Sequence, residues 1–212
     1  MKPLFKPRAS ALGTIMTEPK AKSEILSVGA KTYLYNEAKK IVYGYDDSIT
    51  SKYTDKGLAV EDTSIELYNA VHFTSYVKNE DRRENDWVGG TCDIFTGSKI
   101  IDIKSSWSLA TFPALPERGT ENIYEWQLRA YMMLWDVDEA EIAYCLVTTP
   151  EDLVGYEREE LHFVDHIPQE LRVTRIPFAR DAALEDKIKI KSEAAQAYVK
   201  QAITEIALHH QG

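Results

Sequence analysis

Apolar residues recur at helical spacing in several separate stretches of the chain. Before Gly44 they predict a helix over residues 23–42, and further periodic stretches predict helices over 57–71 and 120–135. Over residues 180–209 a single apolar stripe lies opposite a charged face. This last pattern predicts a long C-terminal helix that buries one side only.

Shorter β-branched runs between these helices predict strands. They cover residues 87–95, 99–104 and 139–147. A further run over 171–178 contains Pro177, which cannot donate a ladder hydrogen bond, so this strand is expected at a sheet edge. The order of elements predicts one domain over residues 1–212 of the α/β (α+β) class, with a small mixed β-sheet flanked by helices.

Composition limits the function classes open to this chain. No stretch reaches the roughly 20 apolar residues of a membrane span, so a cytoplasmic protein without membrane contact is expected. Two cysteines, Cys92 and Cys145, are too few for a disulfide scaffold or a cysteine-ligated metal cluster. The net charge of −9 argues against a broadly basic surface that coats nucleic acid. Binding of DNA would therefore require a local basic groove and metal ions.

The most informative segment spans residues 91–104. Gly97-Ser98 suits a two-residue hairpin turn, because glycine adopts the positive φ that such a turn requires. This turn would place Asp93 directly opposite Asp102. Side-chain alternation then puts both aspartates and Lys104 on one face of the hairpin. The other face is expected to be apolar and to comprise Cys92, Ile94, Ile101 and Ile103.

Two opposed carboxylates repel each other, and a bound hard cation removes that conflict. Mg²⁺ fits best, with Mn²⁺ as a substitute, because it takes oxygen ligands and leaves places for water and a substrate phosphate. Lys104 would then orient or deprotonate the attacking water, or stabilise the pentavalent phosphate. The alternative is a solvated hairpin face with one salt bridge.

This order of residues resembles the motif of the PD-(D/E)XK nuclease superfamily, in which Asp93 and Asp102-Ile103-Lys104 would be the signature. Residues 56–61 resemble the Gly-x-x-x-Glu segment of its RecB-like and phage-exonuclease branches, and Gln127 with Tyr131 resembles their Gln-x-x-x-Tyr helix motif. All three elements occur in the family's order. One departure is Asp102, where many exonucleases of this branch carry glutamate. The resemblance implies a restriction-endonuclease-like core.

The resemblance also implies roles for the remaining motif residues. Glu61 would supply a third carboxylate, bound to a second metal directly or through water, and the main-chain carbonyl of Ile103 would ligate the metal. Gln127 and Tyr131 share a helical face and would hold the backbone of the site or a DNA phosphate. Glu61 as an ordinary first-turn helix acid, and Gln127 with Tyr131 as packing residues, are the alternatives.

The segment Arg8-Ala9-Ser10 offers a further match. It precedes a short predicted helical run over residues 11–16 and resembles the Arg/Ser element with which lambda-exonuclease-like phage proteins hold the 5′-phosphate of a DNA end. A serine cap beside an arginine is a reasonable anion site on physical grounds. Ser10 as a plain helix cap is the alternative.

Together these motifs predict a Mg²⁺-dependent DNA exonuclease. By resemblance it would resect double-stranded DNA from a free end, 5′ to 3′, for phage-type single-strand annealing recombination. A single-strand annealing protein and further copies of the chain in a ring-shaped homo-oligomer are the expected partners, in the bacterial host cytoplasm. A structure- or sequence-specific endonuclease of the same fold and a catalytically silent DNA-end-binding protein are the alternatives.

Overall fold

The computed structural model describes residues 4–46, 51–119 and 122–210. The helices are α1 (Leu12–Ile15), α2 (Val28–Tyr43), α3 (Lys52–Ala59), α4 (Glu61–His72), α5 (Asn122–Trp135), α6 (Glu151–Val154) and α7 (Ala182–His209). The strands are β1 (Arg83–Glu84), β2 (Gly89–Gly90), β3 (Ile94–Phe95), β4 (Lys99–Ser105), β5 (Glu139–Cys145) and β6 (Val173–Ala179). Single-turn 3-10 helices lie at Ala9–Ala11, Pro116–Arg118, Glu159–Leu161 and Gln169–Leu171. Within the described residues, no helix combines the length and apolar character that a membrane crossing requires.

A mixed four-stranded sheet forms the centre of the fold, in the order β3-β4-β5-β6. Strands β4 and β5 run parallel, and the two outer pairs are antiparallel. β6 is an edge strand and contains Pro177, as the sequence predicts. The small mixed sheet, the flanking helices and the long C-terminal helix confirm the predicted fold class.

The two faces of the sheet bury separate apolar clusters, because successive side chains of β4 point to opposite sides. On one face Ile101 and Ile103 pack with Tyr68 of α4. On the other face Ile100 packs with residues of α1, α2, α5 and α7. Cys92 belongs to this second cluster, so its predicted place beside Ile101 and Ile103 is wrong.

The predicted helix over residues 57–71 is in fact two helices. Val60 leaves helical geometry, with φ −116° and ψ 14°, and separates α3 from α4. The predicted helix over 23–42 begins later, at Val28, because the Ser27 side chain accepts a hydrogen bond from the Ala30 amide and caps it. It ends at Gly44 in the left-handed conformation, as glycine there favours.

The predicted strand over residues 87–95 is interrupted. Only its parts at Gly89–Gly90 and Ile94–Phe95 are strands. Between them the main chain turns to Asn79, whose amide donates to the Asp93 carbonyl at 2.7 Å and whose side chain donates to the Cys92 carbonyl at 3.0 Å. These bonds satisfy the Cys92 and Asp93 carbonyls at the point where the β3–β4 ladder ends.

Candidate active site

The β3–β4 hairpin has the predicted register. Gly97 takes φ 95° in the turn, and Ile94 lies opposite Ile101. Asp93, however, lies one residue before the ladder begins. Its Oδ2 accepts a hydrogen bond from the Ile103 amide at 2.7 Å, so the carboxylate is fixed against the β4 backbone and not by direct pairing with Asp102.

Asp102 and Lys104 form the second part of the site. The Asp102 carboxylate is fully buried, and its Oδ2 lies 2.5 Å from Nζ of Lys104. The Lys104 ammonium also stands 4.8 Å from the centroid of the Tyr124 ring, and its side chain remains 21% exposed. The lysine therefore reaches the surface of the site while the aspartate lies beneath it.

Burial and neighbouring charges shift the pKa values of Asp93 and Lys104. Burial raises the pKa of Asp93 to about 7, and the nearby charge of Asp102 acts in the same direction. Burial would lower the pKa of Lys104, but the charges of Asp102 and Asp93 outweigh it and raise that pKa above its ordinary value. Lys104 thus stays an ammonium beside the acidic groups of Asp93 and Asp102.

Glu61 lies on the wall of the same cavity. This cavity has a volume of about 560 Å³, and its walls include Glu61, Asp93, Ile103 and Lys104. Glu61 opens α4, and its Oε2 forms an ion pair with Nζ of Lys78 at 2.7 Å. The Glu61 carboxylate therefore lies at the site, but it is paired with Lys78.

The donor atoms present fit a hard cation. Asp93, Asp102 and the Ile103 carbonyl offer only oxygen, and Asp102 Oδ2 is buried without a hydrogen bond beside its ion pair. No group of three or more acidic, histidine or cysteine side chains within residues 4–46, 51–119 and 122–210 is arranged to hold a metal ion. The two aspartates are thus the direct candidates, and Glu61 would have to exchange its lysine partner.

Gln127 and Tyr131 lie next to Asp102, away from the cavity. Gln127 Nε2 lies 3.2 Å from Asp102 Oδ1 and 3.0 Å from the Tyr131 hydroxyl. Gln127 thus contacts the buried Asp102 carboxylate. Tyr131 is only 3% exposed, which contradicts its predicted contact with DNA. Its hydroxyl accepts a hydrogen bond from Gln127 instead.

The segment from Arg8 to Ser10 lies close to Tyr131. Arg8 is extended, and a β-bridge joins it to Gly89. Ala9 meets the tyrosine at Gly90, where an added Cβ would lie 2.8 Å from Tyr131 Cε1 and 3.0 Å from Ala9 Cβ. The side chains of Arg8 and Ser10 are exposed.

Ser10 does not cap a helix, which corrects the prediction. The Ala11 amide donates to the Arg8 carbonyl, so the helical turn begins two residues before the predicted position and Ser10 lies inside it. No side-chain cap bond forms at either adjacent helix start. The predicted anion site therefore retains an exposed arginine and an exposed serine without the capping geometry.

No protein-family model and no curated protein matches this sequence. Several solved structures do match it. The crystal structure of a phage-related exonuclease from Haemophilus somnus 129PT is 36% identical, with a TM-score of 0.89 over 95% of this chain and 96% of that one. The chain belongs to the phage-type exonucleases of the PD-(D/E)XK superfamily.

Two more distant structures share the fold of this exonuclease. LHK-Exo in complex with dAMP is 17% identical, with a TM-score of 0.72 over 97% of this chain and 93% of that one. The alkaline exonuclease LHK-Exo from Laribacter hongkongensis is 15% identical, with a TM-score of 0.71 over the same shares. The long C-terminal helix α7, which carries no recognised motif, is thus part of a domain that these structures match almost throughout.

The exonuclease site also contains residues that the motifs did not single out. Tyr124 lies beneath the Lys104 ammonium, and its place three residues before Gln127 on the same helical face is a signal that could have identified it. Trp107 and Tyr53 line the cavity edge to face, with ring centroids 5.3 Å apart. Their pairing joins α3 to the loop after β4, and no local sequence pattern predicts such a contact.

Proposed function

We propose that this exonuclease hydrolyses double-stranded DNA from a free end, 5′ to 3′, with Mg²⁺ as its cofactor and Mn²⁺ as a substitute. The observation that carries the proposal is the ion pair between the buried Asp102 and Lys104, together with the place of Lys104 and Asp93 on the wall of the same cavity. The dAMP in the LHK-Exo complex is a mononucleotide, which is the product class of stepwise hydrolysis from an end.

The cofactor would be held by the carboxylates of Asp93 and Asp102 and by the Ile103 carbonyl. When bound, Mg²⁺ supplies an activated water and neutralises charge on the phosphate. The Ile103 amide keeps Asp93 in place, and Gln127 keeps Asp102 in place. Asp93 therefore has one oxygen restrained by the protein, and Asp102 has both, one by Gln127 and one by Lys104, which fixes both side chains before substrate binds.

Lys104 acts on the reacting phosphate. Its raised pKa keeps it positively charged, so its role is to orient the attacking water and stabilise the negative charge that develops on the phosphate. The Tyr124 ring and Asp102 hold the ammonium from two sides. Glu61 completes the site when Lys78 turns to a DNA phosphate, which would release its carboxylate toward the metal.

DNA recognition would start at the end of the strand. Arg8 and Ser10 are exposed on either side of Ala9, which lies close to Tyr131. Their guanidinium and hydroxyl can hold a terminal 5′-phosphate. The net charge of −9 limits non-specific binding, so this contact and the metal would carry much of the affinity. A ring-shaped homo-oligomer and a single-strand annealing protein complete the proposal as its partners.

The test is digestion of a linear duplex that carries a label at either its 5′ or its 3′ end, beside a closed circle, with Mg²⁺ or EDTA. We expect release of the 5′ label from linear DNA, only with the metal, and an intact circle. Early release of the 3′ label would contradict the polarity. Cutting of the circle would indicate an endonuclease, and no cleavage with any divalent ion would indicate a DNA-end-binding protein.

A further inference from the structure

Lys56 is buried in a way that ordinary lysines are not. Its side chain is 1% exposed, although it belongs to α3, a helix with little other buried surface. No carboxylate forms an ion pair with it in the described part of the chain. Burial of an ammonium without a counter-ion is costly, so a specific arrangement must compensate for it.

Three main-chain carbonyls provide that compensation. Nζ of Lys56 donates to the carbonyls of Ser106 at 2.6 Å, Trp107 at 3.0 Å and Val147 at 2.9 Å. An ammonium has three N–H groups for these three acceptors, whereas a neutral amine has two. The protonated form is therefore the one that matches, even though burial lowers the pKa of Lys56 to about 8.

The three carbonyls come from two neighbouring strands. Ser106 and Trp107 directly follow β4, and Val147 lies two residues after β5. Because β4 and β5 are parallel, these ends meet at the same edge of the sheet. Lys56 thus binds α3 to the sheet edge at which β4 ends, just after Lys104.

The fastened helix is also a wall of the active-site cavity. Thr54, Gly57 and Leu58 of α3 line this cavity together with Trp107. The chain then breaks at Val60 and begins α4 with Glu61. A shift of α3 would therefore move both the wall of the cavity and the third carboxylate relative to Lys104.

We propose that Lys56 is a positioning residue of this exonuclease, whose ammonium binds the carbonyl ends of β4 and β5 and so holds α3 and Glu61 in place for the reaction. This role rests on the proposed hydrolysis of DNA. Lys56 touches neither substrate nor metal, and it acts through the helix that it holds.

The chain offers a matched control in Lys191 of α7. This lysine is 7% exposed, and its ammonium donates to the carbonyls of Met16 and Thr17, on the α1 and α7 side of the fold. Unlike Lys56, it also has a carboxylate partner, because its Nζ lies 3.6 Å from Glu18 Oε1. Substitution of either lysine by methionine removes a buried ammonium from its carbonyl acceptors at similar volume. Both variants should lose stability, but only Lys56→Met alters the cavity wall.

The experiment compares wild type, Lys56→Met and Lys191→Met for melting temperature and for steady-state digestion of linear duplex. We expect kcat of Lys56→Met to fall at least about tenfold with little change in KM, because misplacement of a catalytic group lowers turnover more than binding. Lys191→Met should keep wild-type kcat per folded molecule. Equal kcat for Lys56→Met and wild type, or an equal loss in Lys191→Met, would overturn the positioning role.

A second variant covers the case in which Lys56→Met does not fold. In Lys56→Ala, propylammonium replaces the deleted atoms, and it should restore turnover where tetramethylammonium at the same ionic strength does not. Failure of this selective rescue would also overturn the proposal. Wild-type digestion in the same assay tests DNA hydrolysis by itself. An inactive wild type would refute the proposed function, whereas a fully active Lys56→Met beside an active wild type would refute only the positioning role.

Discussion

Gly90→Ala tests whether the packing behind the site controls catalysis. A Cβ at this position would lie 2.8 Å from Tyr131 Cε1 and 3.0 Å from Ala9 Cβ, closer than carbon atoms ordinarily approach. Tyr131 cannot turn away freely, because it is buried and its hydroxyl is bonded to Gln127. The added methyl group must therefore displace the tyrosine ring or the Arg8–Ser10 segment.

The size of the effect follows from overpacking. Insertion of a methyl group into a close-packed site costs about 1–3 kcal/mol. The lower chain entropy of alanine in the unfolded state returns about 0.4–1 kcal/mol. A net loss of about 1–2 kcal/mol lowers the melting temperature of a chain of this length by roughly 2–8 °C. Displacement of Tyr131 also disturbs Gln127 and Asp102, so kcat should fall about 10- to 100-fold.

Thermal unfolding and single-turnover digestion of linear duplex measure the two effects. Gly57→Ala is the control for stability, because an added Cβ there meets no atom within 4 Å and lies within helix α3. Its helix should gain about 0.5–1 kcal/mol. A Gly90→Ala protein with unchanged melting temperature and wild-type turnover would refute the link from Gly90 through Tyr131 to the site.

Three further changes test other parts of the account. Lys104→Met should lower kcat by about 10²–10⁴ in quench-flow digestion and leave DNA binding by fluorescence anisotropy unchanged; near wild-type kcat would contradict its role. Arg8→Ala should raise KM about tenfold for 5′-phosphorylated ends and little for 5′-hydroxyl ends, since a charge-assisted hydrogen bond is lost; an equal rise for both would contradict phosphate recognition. Burial alone would raise the pKa of Glu141, but hydrogen bonds from Arg175, Lys99 and Tyr68 outweigh it and hold the pKa below its ordinary value. Its contribution to stability is therefore present above pH 4.5 and lost as pH falls through the lowered pKa, and Glu141→Gln should flatten this part of the acid dependence in urea unfolding.

The hairpin could be predicted because its causes are local. Gly97 permits the turn, and the alternation of apolar residues along β4 fixes the register. The departure of Asp93 from the ladder could not be predicted, because it depends on hydrogen bonds from Asn79, which lies far upstream. Local chemistry thus specified which residues meet at the site, and the hydrogen bonds of Asn79 to the Cys92 and Asp93 carbonyls specified where the backbone leaves the ladder.

Other parts of the site depend on tertiary contacts that leave no periodic signal. Lys56 follows the ordinary pattern of an exposed helical lysine, yet its acceptors come from the ends of two strands. Tyr131 has the spacing of the family motif, but its burial depends on close approach to Gly90. Ser10 has the preferred residue type for a cap, and the bridge between Arg8 and Gly89 accompanies an earlier start of the turn.

The most direct test of the central claim is hydrolysis of linear duplex by wild type and Asp102→Asn in Mg²⁺. Asparagine preserves the shape of the side chain and a carbonyl oxygen for the Gln127 bond, but it removes the charge that pairs with Lys104 and would bind the metal. We expect cleavage by wild type and a loss of about 10³-fold or more in the variant, with DNA binding retained. Equal cleavage rates for the two proteins would contradict the assignment of the site.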